Sequence, residues 1–201
     1  MKRFLIHGYG KSLDISESEI PANGGFYIFD AELSSGDARA FLWAVPWSRK
    51  WLAPWNPWAQ LQLYRAERKE IQKDALLERL GQELREFQPD QVICHSMGAQ
   101  LLVNYVERYG LPESVRSVVF VQADVARTEV LPVIPHVSWS NYWCWWDSAL
   151  WISAVLNLRF PCGLLGSDDK MVTNHFFGLS KGPNLHQDVW RDERLYQQLE
   201  S

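Results

Sequence analysis

The segment Gln91-Val92-Ile93-Cys94-His95-Ser96-Met97-Gly98 constrains the fold of this chain more than any other. An extended apolar run enters it, and the helical pattern Leu101-Leu102-Val103 with Tyr105-Val106 leaves it. A serine between a buried strand and a helix has the outline of a nucleophile elbow. Its hydroxyl projects from the carboxyl edge of a sheet, and small residues on either side permit the tight backbone. Ser96 is therefore the candidate nucleophile, although Cys94 stands where the first glycine of such a turn usually lies.

A second motif points the same way. Lys2-Arg3-Phe4-Leu5-Ile6 reads as a strand and passes directly into His7-Gly8-Tyr9-Gly10. Acyl-transfer sites of this design hold the tetrahedral oxyanion with two backbone N–H groups. One follows the serine and the other lies in a loop after an early strand. Met97 and Tyr9 are the expected donors.

With these two motifs the chain resembles the alpha/beta-hydrolase superfamily, from its amino-terminal strand to its last histidine. Within it, the chain is similar to a largely uncharacterised branch of serine hydrolases with a His-Gly-Tyr opening, a His-Ser-Met-Gly elbow and a later Asp-x-Ala-Leu segment. These stand here as His7-Gly8-Tyr9, His95-Ser96-Met97-Gly98 and Asp147-Ser148-Ala149-Leu150. The resemblance implies an α/β fold, a mostly parallel sheet with helices on both faces, and a serine hydrolase activity.

The rest of the sequence fits that expectation. A chain of 201 residues with 47% hydrophobic content is long enough to bury a core and is read as a single domain over 1–201. No uninterrupted apolar run is long enough to cross a bilayer, and the first residues read as structural, so a cytoplasmic protein is expected. The net charge of −4 and the lack of a basic cluster argue against a nucleic-acid surface. Cys94, Cys144 and Cys162 have no metal-like spacing and fit reduced thiols.

Ala38 to Val45 reads as a buried strand. The following Trp/Pro-rich segment, 46–58, is an irregular excursion because Pro46, Pro54 and Pro57 interrupt any helix among Trp47, Trp51, Trp55 and Trp58. Its indoles are expected either to cap the sheet edge as extra core or to form a lid or acyl pocket at the serine. From Gln60 to Phe87 the spacing of Leu76, Leu80, Leu84 and Phe87 predicts a helix. Strands are predicted at the elbow, at Ser117–Val121 and at His136–Trp146.

A serine nucleophile requires a histidine base and a carboxylate that fixes the base's tautomer, in the chain order serine, acid, histidine for this fold. His136, His175 and His186 follow Ser96. His186 is preferred because it lies in a loop after the last plausible strand. For the acid, Asp147 is the first choice, at a strand end before a helical pattern. Asp169 is the alternative, because Gly166-Ser167-Asp168-Asp169-Lys170-Met171-Val172 matches a Gly-x-x-Asp-x-x-Val acid loop, and Asp124 is third. The expected partner is a small-molecule acyl substrate, a carboxylic ester or else a thioester or amide, with no cofactor and no metal. A noncatalytic hydrolase-fold binding protein and an acyltransferase using the same triad remain the alternatives.

Overall fold

A computed structural model describes residues 1–7, 26–29, 64–65, 68–178, 186, 189 and 193–200. The expected strand at 38–45, the Trp/Pro-rich segment at 46–58 and Tyr9 lie outside the described residues. In chain order the elements are β1 (Arg3–Ile6), β2 (Phe26–Phe29), α1 (Asp74–Phe87), β3 (Gln91–His95), α2 (Met97–Tyr109), β4 (Ser117–Val121), β5 (Ser138–Trp143), α3 (Ser148–Asn157), the short α4 (Cys162–Leu165), β6 (Val172–Phe176) and α5 (Glu193–Glu200).

Among the described residues the strands form one six-stranded sheet in the order β2-β1-β3-β4-β5-β6, and every neighbouring pair is parallel. Helices cover both faces of this parallel sheet, so strand residues of both parities are apolar. Phe4, Ile6, Val92, Cys94, Val118 and Phe120 share one core with Leu80 and Leu84 of α1 and Leu101 and Tyr105 of α2. Leu5, Ile93, Val119 and Val121 turn the other way and pack with Leu195 and Leu199 of α5. The alternation is the two-residue period of a strand buried on both faces. The chain is thus an α/β protein with a wholly parallel sheet. No described helix is long and apolar enough to cross a membrane.

The predicted helix over 60–87 is interrupted: 64–65 and 68–70 are helical before the chain breaks at 71–73. Ile71 and Gln72 form a turn, and α1 begins at Asp74. The Ile71 carbonyl accepts a 3.0 Å hydrogen bond from Asn104 Nδ2 of α2, so a tertiary partner replaces the helical one. Leu77, Leu80 and Leu84 are the buried stripe, with Leu76 at its margin. The helix ends at Gln88, whose left-handed φ of 48° lets its N–H return to Leu84 O, immediately before Pro89. The predicted strand at 136–146 is likewise narrower: His136 is exposed in a turn, and the chain turns again at Trp145 and Trp146.

Two glycines permit approaches that a side chain would block. A Cβ on Gly98 would lie 2.5 Å from Ile6 O, so its absence seats the start of α2 against the end of β1. A Cβ on Gly163 would lie 2.1 Å from Ala123 N, where α4 crosses the loop after β4. The three cysteines are free and buried, and desolvation pushes the Cys162 thiol up to about 12.

Candidate functional site

The strand order places a topological switch point where the expected residues lie. From β1 the chain passes to β2 on one side, whereas β3 pairs on the other, so the connections diverge at the carboxyl ends of β1 and β3. Open α/β sheets bind ligands at such switch points. Ile6–His7 and His95–Ser96 stand at those two strand ends.

Ser96 occupies the turn between β3 and α2 with φ 53° and ψ −126°, a conformation that side chains disfavour. Hydrogen bonds hold it there. Its N–H donates to Val121 O at 3.2 Å, and its carbonyl accepts the Asp124 N–H at 2.9 Å and the Ala99 N–H at 3.2 Å. The turn is thereby fixed to the end of β4 as well as to its own helix. Ser96 is 7% exposed. Met97 opens α2, and N–H groups in the first turn of a helix lack carbonyl partners within it, which leaves them available to an anion.

The structure brings Asp147 and His186 together: His186 Nδ1 lies 2.6 Å from Asp147 Oδ2. Asp147 is fully buried at the start of α3, where Oδ1 accepts the Leu150 N–H at 3.1 Å. One carboxylate oxygen caps the helix while the other engages the ring. Asp147 stands just beyond the turn after β5, not directly at the strand end as the sequence suggested.

The other acids are engaged elsewhere. Asp169 accepts the Leu131 N–H at 2.8 Å and the Met171 N–H at 2.9 Å, and thus ties two loops together. Its neighbour Asp168 pairs with Arg127. Asp124 is buried and receives Tyr64 Oη and Ser153 Oγ, each at 2.7 Å, with Arg159 at 3.6 Å. His175 is in β6, stacked 4.7 Å from the Tyr142 ring.

His95 has a larger part in this arrangement than shaping a turn, the role its position beside Ser96 suggests. Its ring centroid lies 4.6 Å from that of His186 and 5.0 Å from that of His7. Its Nε2 is 2.9 Å from the backbone carbonyl oxygen of His186. A carbonyl only accepts, so Nε2 carries the proton. Burial, followed by the neighbouring His186 and His7, holds the His95 pKa well below the usual imidazole value. No sequence period would have revealed this role, because the partner is a backbone atom 91 positions away.

The shift makes His95 a source of acid instability. Below about pH 6.5, the ordinary histidine value, the unfolded chain takes up a proton at this position that the folded chain refuses. Stability therefore falls as the pH drops from that value toward the lowered folded pKa. The urea midpoint should be lower at pH 5 than at pH 7, and His95→Gln should reduce the difference. An unchanged difference would assign the acid sensitivity to other groups.

Among the described residues no group of three or more His, Cys, Asp or Glu side chains is placed to hold a metal ion. Compared with protein-family models, with curated proteins and with solved structures, the chain finds no match.

Proposed function

We propose that this chain is a serine hydrolase of the alpha/beta-hydrolase type that cleaves a small carboxylic ester through an acyl-enzyme. The observation that carries the reading is the 2.6 Å contact between His186 Nδ1 and buried Asp147, in a fold that also holds Ser96 in a strained strand-to-helix turn. The elbow after β3, the acid after β5 and the histidine after β6 follow the chain order serine, acid, histidine expected of such an enzyme.

In this mechanism Ser96 Oγ attacks the acyl carbonyl as its proton passes to His186 Nε2. Asp147 keeps the Nδ1 proton on its own side of the ring and stabilises the imidazolium that forms. The Met97 N–H, with that of Tyr9 as the expected second donor, stabilises the oxyanion. As the C–O bond to the leaving group breaks, His186 returns the proton to the departing oxygen. A water molecule, deprotonated by His186, then attacks the acyl-enzyme, and the acid leaves as Ser96 recovers its hydrogen. Esters are favoured over amides because an alkoxide departs more readily than an amine.

A fluorophosphonate probe tests this reading. Peptide mass spectrometry should find the adduct on Ser96, and folded Ser96→Ala should carry none there. Absence of a Ser96 adduct in folded wild-type protein would overturn the assignment.

A further inference from the structure

We infer that His95 is a positioning residue that sets the catalytic base by donating its Nε2–H to the His186 carbonyl; this rests on the hydrolase reading above. The Asp147 contact holds His186 at one point, Nδ1, and leaves the ring free to swing about that hydrogen bond. The His95 contact adds a second point, on the backbone of the same residue. The two supports come from different elements, Asp147 from the start of α3 and His95 from the end of β3. Because His95 immediately precedes Ser96, the strand that carries the nucleophile also fixes the base that must meet it. The spacing between them is thus set locally, through one imidazole, instead of accumulating error across β4, β5 and β6.

His95 is itself held. It is 1% exposed, with His7 from the end of β1 against its ring and the Gln122 side chain, from the end of β4, as a further hydrogen-bonding neighbour. Gln122 is buried with φ 46°, a left-handed conformation that costs energy in a residue with a side chain. A neutral His95 is suited to this task because it donates without placing a positive charge beside His186 as that ring becomes an imidazolium.

Three variants separate the donor from the bulk of the ring. His95→Gln keeps an amide N–H at about the reach of Nε2, His95→Phe keeps the ring volume without a donor, and His95→Asn keeps an amide that stops short of the carbonyl. The rate of fluorophosphonate labelling at Ser96 and the low-field Nδ1 proton of the His186–Asp147 pair, read by NMR, are measured on each. A misplaced base costs on the order of 10²-fold, so labelling of His95→Phe and His95→Asn should slow by about that factor, with the low-field proton broadened or lost. His95→Gln should recover both signals. If His95→Phe does not fold, the contrast between His95→Asn and His95→Gln decides. Equal labelling and an intact proton signal in His95→Asn and wild type would overturn the inference, as would a His95→Gln protein as impaired as His95→Asn. Should wild-type Ser96 fail to label, the hydrolase reading fails, and the NMR signal alone still judges the tether.

Discussion

Asp147→Asn lowers the turnover of an activated ester by about 10⁴-fold, the loss expected when the base is held in the wrong tautomer. The amide offers its NH₂ group to Nδ1, which draws the ring proton to Nε2, where it faces Ser96 and blocks proton removal. The fold should survive, because asparagine caps helices about as well as aspartate and its carbonyl oxygen can still accept the Leu150 N–H. Asp147→Ala separates the two roles: it loses the cap as well, and its stability should fall by about 1 kcal/mol further. Measurements of kcat/KM with an aryl ester and of urea unfolding on both proteins check the expectation. If Asp147→Asn stays within tenfold of wild type while Asp169→Asn collapses, the acid is Asp169 and the His186–Asp147 contact is structural.

The second large effect is on stability. In Gly163→Ala the new methyl meets Ala123 N at 2.1 Å and Gln122 C at 2.3 Å, both backbone atoms that cannot rotate aside. Retreat is opposed on several sides. Gly163 N–H donates to Ala123 O at 3.0 Å, Gly163 O accepts the Cys144 N–H at 2.9 Å, and Cys162 N–H donates to Val125 O at 2.8 Å. Overpacking of this severity costs about 3 kcal/mol, which urea unfolding would read as a lower midpoint with an unchanged slope. The loop that must yield also holds the elbow, since the Asp124 N–H binds the Ser96 carbonyl. Fluorophosphonate labelling should therefore fall together with stability. An unfolding midpoint equal to wild type would show that α4 shifts at little cost.

Those parts of the fold that depend on chain-local pattern were legible in the sequence. Val92-Ile93-Cys94 and Val118-Val119-Phe120-Val121 are buried on both faces, and such strands read as uninterrupted apolar runs. His186 could be singled out because the other two histidines after Ser96 precede or fall within the late strands. Asp169 has the sequence context of an acid loop, while its two oxygens accept the Leu131 and Met171 amides. The contact that favours Asp147 joins it to His186 across 39 residues, a tertiary relation with no local signature. The break before α1 was hidden for the same reason, since Asn104 lies 33 residues from Ile71. The burial of Asp124 was equally unreadable, because Tyr64 lies 60 residues away.

The place of β1 inside the sheet has a consequence for the chain while it is being made. β1 can pair with β2 early, but its other edge must await β3, and the contact that closes their junction, Lys2 N–H to Asp90 Oδ2, joins residues 88 apart. At ribosomal speeds that interval lasts roughly 4 to 18 s. Throughout it Phe4, Leu5 and Ile6 lack the partner that will bury them. The nascent chain thus carries an open strand edge until the nucleophile strand itself emerges, and the brevity of β1, only four residues, limits what other chains can add to it.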